Sequence, residues 1–246
     1  MDRMLYVAMS GAKETLHSQA AVNNNMANAN TPGFLADLQQ FRSMPVFGVG
    51  HPTRVYAMSE RPASDRSPGT LDHTARDLDI AVKEGGWLAV QGLDGREAYT
   101  RRGDLQVDPN GRLTTGEGLP VMGNSGPISL PPFEKIDIGT DGTISIRPQG
   151  GESDALAVVD RIKLVKAADD ELQKGDDGLM HTRTGADLPA DAEVRLASGS
   201  LVSSNVDLVG EMVSMIELSR RFELQVKMMK TAEDADAASA TLLKPV

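Results

Sequence analysis

Residues 201–244, LVSSNVDLVGEMVSMIELSRRFELQVKMMKTAEDADAASATLLK, are the longest run that can form one unbroken helix. The run holds a single glycine, Gly210, and no proline precedes Pro245. Leu208, Met212, Met215, Phe222, Val226 and Met229 recur at steps of three, four and seven, the helical period. A second apolar set, Val209, Val213, Ile216 and Leu224, lies about a third of a turn away. A surface helix normally shows one apolar stripe, so an apolar surface this wide asks for more than one partner. At about 1.5 Å per residue the helix would run about 60 Å, longer than a domain of this size buries. The stretch reads as an assembly element. Ser204 is its expected N-cap, with Asp207 in the capping-box position.

Glycine and proline divide the rest. Of 24 Gly and 13 Pro, all but Gly11, Gly210 and Pro245 fall between Pro32 and Gly199. Helix-compatible ends therefore flank a middle rich in turns. Residues 4–29 read as a second helix, with Leu5, Met9, Ala12, Leu16, Ala20 and Met26 on one face. Thr31-Pro32-Gly33 ends it, because proline removes a donor and restricts the residue before it. Asn23, Asn24, Asn25, Asn28 and Asn30 are unusual in a helix, since Asn prefers caps and turns. They read either as a fraying helix end or as amides, Asn24 and Asn28 among them, that bond to neighbouring chains.

Residues 34–76 read as an extended connector. Phe34, Leu38, Phe41 and Met44 fit a short helix there, and 55–58 fit a strand. From Leu78 the period changes to two, with turn signals every 8–12 residues. Strands are expected over 78–82, 87–90, 98–100, 105–107, 112–115, 136–138, 143–146, 157–166, 179–182 and 194–201, with shorter ones at 121–122 and 128–130. Asp94-Gly95, Asn110-Gly111 and Asp141-Gly142 between such runs are hairpin signals, because φ > 0 is accessible there. The expected class is α+β: an all-β domain of many short antiparallel strands over 77–201. Terminal helices within 1–33 and 202–246 flank it and pair as a coiled coil. The seam is expected to set Leu208, Met215, Phe222 and Met229 against Leu5, Ala12, Leu16 and Met26.

Composition excludes several functions. A net charge of −10 and a pI near 4.9, with no Lys/Arg block, argue against a nucleic-acid surface. Without cysteine there is no disulfide scaffold, Cys-ligated zinc site or thiol nucleophile. No apolar run approaches the roughly 18 residues of a membrane helix. The opening MDRMLYVAMSGAKETLHSQ has no basic region followed by an apolar one, so no cleaved signal peptide is expected. His17, His51, His73 and His181 are scattered without metal-ligand spacing. Asp137 and Asp141 read as part of a hairpin turn, because the full ligand series of a calcium loop is missing. Asp169, Asp170 and Glu171 form another acidic group without a partner motif. No cofactor, metal or catalytic residue is nominated.

Three stretches carry a resemblance. Asn23-Asn24-Asn25-Met26-Ala27-Asn28-Ala29-Asn30-Thr31-Pro32-Gly33-Phe34 is similar to the N-terminal signature of bacterial flagellar rod, hook and hook-associated axial proteins. Met26 stands where Ile or Leu is commoner in that family. Ser204-Asn205-Val206-Asp207, Glu211-Met212-Val213, Met215-Ile216 and Arg221-Phe222-Glu223 resemble its C-terminal signature, with Phe222 where Tyr is more frequent. Residues 77–82, Gly86-Trp87-Leu88-Ala89-Val90 and Tyr99-Thr100-Arg101-Arg102-Gly103 are similar to its central β segment.

The resemblance implies a non-enzymatic axial subunit of the periplasmic rod, most like the proximal rod, with the distal rod as the alternative. It implies paired terminal helices lining the channel, a β domain outside them, and export through the flagellar type III apparatus without a cleaved signal. Expected partners are other rod proteins and copies of this chain, with no nucleic acid, small-molecule substrate or membrane insertion. Asn205 joins Leu5, Ala12, Leu16, Asn24, Met26, Asn28, Leu208, Met212, Met215, Phe222, Val226 and Met229 as expected interface residues. Two other classes compete. A cell-wall glycan hydrolase needs two carboxylates across a cleft, which no segment nominates. A carbohydrate-binding β module needs exposed aromatics for stacking, and the chain has one Trp, three Tyr and five Phe in all.

Overall fold

In the computed structural model, residues 4–45, 47, 54–59, 63–83, 85–149, 156–168 and 170–242 are described; His51 and Asp169 lie outside them. The elements in chain order are α1 (Met4–Ala27), β1 (Asp37–Leu38), β2 (Phe41–Pro45), β3 (Val55–Ser59), β4 (Ala63–Ser64), β5 (Leu71–His73), β6 (Ile80–Val82), β7 (Trp87–Gln91), β8 (Glu97–Thr100), β9 (Leu105–Val107), β10 (Leu113–Thr115), β11 (Phe133–Ile138), β12 (Thr143–Pro148), β13 (Ala157–Arg161), β14 (Leu164–Val165), β15 (Leu172–Lys174), β16 (Met180–Thr182), β17 (Leu196–Ser198), β18 (Ser200–Val202) and α2 (Leu208–Leu242). This is a mixed α+β chain with terminal helices and short antiparallel strands. No helix among the described residues is long and apolar enough to cross a membrane.

The chain forms two compact units. One comprises Met1–Ala29, Ala36–Asp65 and Val206–Val246; the other comprises Asn30–Leu35 and Arg66–Asn205. Residues 34–76 are therefore shared, with 36–65 in the first unit and the remainder in the second. In the first unit, α1 and α2 lie side by side and antiparallel: Thr15 meets Gln225, Gln19 meets Ser219 and Asn25 meets Glu211. The short helix expected across 34–44 is absent. Phe41–Pro45 instead pairs with Val55–Ser59 in an antiparallel hairpin that packs on α1. The two strands supply each other's backbone bonds, and that pairing overrides a local three-residue spacing.

The second unit is built around the sheet β14-β7-β8-β16-β15. Its central strands are covered on both faces, so their residues are apolar at consecutive positions instead of alternating. Leu88, Val90 and Ala98 join one core with Ile80, Leu105, Leu113, Ile144 and Ile146. Trp87, Ala89 and Tyr99 turn to the other side, against Leu35, Val165, Leu172 and Met180. Two runs read as single strands are each divided. Residues 157–166 break where Ile162 N–H donates to Gly142 and Lys163 N–H to Met122, each switching partner strand. Lys163 then places its ammonium 2.7 Å from the buried Glu97 carboxylate. Residues 194–201 break at Gly199, whose N–H donates to Asp79. The strand Leu172–Lys174 was hidden beside the acidic pair Asp170 and Glu171.

Two motif glycines are required by close approach. Gly33 has φ +69°, and a Cβ there would lie 2.5 Å from the Arg101 backbone. A Cβ on Gly103 would lie 1.7 Å from the Ile80 carbonyl oxygen. Between them, Arg101 stacks its guanidinium 4.4 Å over Trp87 and donates to the Arg66 carbonyl. Arg102 ion-pairs with Asp104 and Glu117. The Tyr99–Gly103 run is thus a lock on the core. Gly103→Ala should cost about 1–3 kcal/mol through overpacking, read as a lower urea midpoint by Trp87 fluorescence; an unchanged midpoint would refute the close approach.

Asp141 does cap the β11–β12 turn, accepting from the Thr143 hydroxyl at 2.7 Å and from its N–H at 3.1 Å. The Thr143 bonds hold its carboxyl below the ordinary value of 3.8. The charged form therefore favours the fold: its contribution is complete above that value and fades as pH falls through the lower folded one. Asp141→Asn should flatten the acid limb of the stability curve, measured by urea unfolding at stepped pH.

Candidate assembly surface

The helix pair does not bury its large apolar residues. On α1 the buried positions are Ala8, Ala12, Thr15, Ser18 and Asn25, an arc of small and polar side chains. Leu5, Tyr6, Met9 and Leu16 fall on the adjacent arc and stay exposed, Leu16 at 50%. On α2 only Leu218 is buried among 35 residues. At about 100° per residue, Val209, Val213, Ile216 and Leu224 lie roughly half a turn from Leu218, and Val209 is 71% exposed.

Of the residues expected in the intrachain seam, Ala12 is buried, and Met26, Met215, Phe222 and Met229 are half-buried. Leu5, Leu16 and Leu208 are exposed, as are Met212 and Val226, expected at the subunit interface. The physical reason is fit. Gly11 and Thr15 admit the Gln225 amide, and a Cβ on Gly11 would sit 2.9 Å from its Nε2. Thr15 bonds Gln225 at 3.1 Å, and Gln19 donates to Ser219 at 3.1 Å and faces the Met215 sulfur. Small and polar residues bring the helices together and leave the bulky ones facing away.

Asn25 is the residue the sequence reading passed over. It is 2% exposed and makes three bonds. Its Nδ2 donates to the Asp37 carbonyl at 3.0 Å and to the Glu211 carboxylate at 2.8 Å. Its Oδ1 accepts from the Asp37 N–H at 2.8 Å. One amide therefore joins α1, β1 and α2. Asn24 donates to the Asp37 carboxylate at 2.6 Å, and Asn28 donates back to Asn24. These Asn side chains bond inside the chain. The signal was available: Asn25 follows Ser18 by seven residues, which returns it to the same side of the helix.

The start of α2 differs from expectation. Asp207 caps it, accepting from Val209 N–H at 3.2 Å through its side chain and from Glu211 N–H at 2.9 Å through its carbonyl. Ser204 lies three residues too early. Gly210 leaves room for that cap, since a Cβ there would lie 2.7 Å from the Asp207 carboxylate. Asn205, expected at a subunit interface, donates to the Ser67 carbonyl at 3.0 Å within the second unit. Two of the described histidines have local roles: His73 bonds Ser200, and His181 bonds Asp177 four residues earlier.

Three family models match. "Flagella basal body rod protein" covers residues 5–34, the span of α1 and the Gly33 turn. "Flagellar hook protein FlgE/F/G D1 domain" covers 81–146, and "Flagellar basal body rod FlgEFG protein C-terminal" covers 197–242. The chain is 45% identical to the flagellar basal-body rod protein FlgF of Escherichia coli (strain K12), over 99% of each chain. It is 44% identical to the FlgF of Salmonella typhimurium, again over 99% of each. The flagellar basal-body rod protein FlgG of Bacillus subtilis is 31% identical over 95% of this chain and 96% of its own.

The Asn25 clamp is testable by paired substitutions. Asn25→Ala removes the amide that joins β1 and the Glu211 carboxylate to α1 and should cost the ordered helical unit about 2–4 kcal/mol, seen as release of the chain from isolated basal bodies at lower urea. Asn24→Ala, at an exposed position, should cost under about 1 kcal/mol. Equal effects would refute the clamp.

Proposed function

The chain belongs to the flagellar basal-body rod protein family, and on that premise we propose that it is a subunit of the proximal rod, the periplasmic drive shaft. It assembles there with copies of itself and with other axial proteins, and it arrives through the flagellar type III export apparatus. α1 and α2 form the coiled-coil inner domain of the subunit. Its interface uses Leu5, Ala12, Leu16, Asn24, Met26, Asn28, Asn205, Leu208, Met212, Met215, Phe222, Val226 and Met229. The observation that carries this reading is the apolar surface of α1 and α2 left open to solvent. Contiguous apolar surface of this kind marks a protein–protein site. Finishing the burial of these half-exposed side chains would contribute on the order of 1 kcal/mol each. The identity of about 45% to rod proteins named FlgF supports the proximal assignment over the distal one.

Assembly is coupled to ordering. In the dilute monomer the segments 4–27 and 208–242 exchange their amide hydrogens rapidly, and they order when neighbouring subunits cover them. Strong protection of both segments in the monomer would overturn this. Phe222→Asp should abolish incorporation into basal bodies while the Trp87 fluorescence transition of the second unit stays in place. Normal rod assembly by that variant would refute the seam. Cross-linking of purified basal bodies decides between proximal and distal neighbours.

A further inference from the structure

A cleft of about 230 Å³ opens where α1, β1 and α2 meet. Its wall carries Ser18, Asp37, Glu211, Glu217 and Arg221, with Val22 and Leu218 as apolar lining. Glu211 and Glu217 against the one guanidinium of Arg221 leave it net negative without counting Asp37. Three of its polar residues, Ser18, Glu217 and Arg221, keep bonding capacity to spare. Ser18 is 5% exposed, and its Oγ has no hydrogen-bond partner among the described residues. Buried hydroxyls are ordinarily bonded, so an uncommitted one facing a cleft points to a missing group. Glu217 and Arg221 stand one turn apart on α2, and neither makes an ion pair among the described residues. Glu211 is held by the neutral Asn25 amide, so its charge still contributes to the local field.

We propose that this cleft receives a Lys or Arg side chain from a neighbouring axial subunit, a claim that rests on the assembly reading above. The chemistry fits a long basic side chain. Its aliphatic stem lies against Val22 and Leu218, and its charged head donates to the Glu217 carboxylate and the Ser18 hydroxyl. The exposed Leu and Val residues of the helices give area without direction. A seated cation would fix the angular register between subunits, as charge complementarity does at other interfaces.

The chain contains no cysteine, so one introduced thiol reports on the cleft alone. Ser214→Cys places it on the cleft wall. A maleimide should label it in the purified chain and fail to label it in isolated basal bodies. Glu217→Lys should lower incorporation into basal bodies by about tenfold, because like charges would face each other in the cleft; Glu217→Gln should lower it less. Glu217 is exposed, so the helical circular dichroism of both variants should match the parent. Equal labelling in chain and basal body would overturn the proposal. So would a protected thiol combined with parental incorporation of Glu217→Lys, since the occupant would then not be basic. If the parent chain were absent from basal bodies, the assembly reading itself would fall.

Discussion

One buried amide sets the geometry of the helical unit. Asn25 satisfies both backbone groups of Asp37 and one oxygen of Glu211, so α1, β1 and α2 share a single polar joint. Buried polar groups are costly unless every partner is present. The joint therefore admits few alternative registers between the helices. Below it the seam is made of Ala8, Gly11, Ala12, Thr15 and Ser18, which let α2 approach closely. Close approach through small residues has a consequence: the large apolar side chains must point elsewhere.

The two units close their apolar surface in opposite ways. The β unit surrounds Trp87, Leu88, Val90 and Tyr99 with side chains on both faces of one sheet, so little of that surface remains open. The helical unit leaves Leu16, Val209, Ile216 and Leu224 to solvent, and α2 is eleven residues longer than α1. A unit that is complete by itself and one that needs neighbours are what a rod subunit requires: a fixed body and a surface that gains by polymerising.

Much of this was legible in the residues. The step from a period of 3.6 to a period of two near Leu78 separates helix from strand, and the turn at Asp141-Gly142 follows from its residue types. Excess apolar surface on 201–244 pointed to assembly before any family was named. The errors share one cause. The helix expected across 34–44 is a hairpin because its partner strand lies at Val55–Ser59, beyond any local window. Residues 194–201 break at Gly199 because Asp79 accepts its N–H from far along the chain. The cap on α2 is Asp207 and not Ser204 because Ser203 and Asn205, just before it, are bonded to Thr70, Ser67 and Phe34 within the second unit.

By itself the sequence determined element type, the division into helical ends and a β middle, and the surplus of apolar surface, because these follow from residue chemistry and short-range period. The tertiary structure alone decided which side of each helix meets the other. The period of Leu5, Ala12, Leu16 and Met26 named a stripe, but two neighbouring stripes were available on α1. The arc of Ala8, Thr15, Ser18 and Asn25 took the seam, because its small side chains let α2 approach closely and the Asn25 amide finds all its partners where α1, β1 and α2 converge.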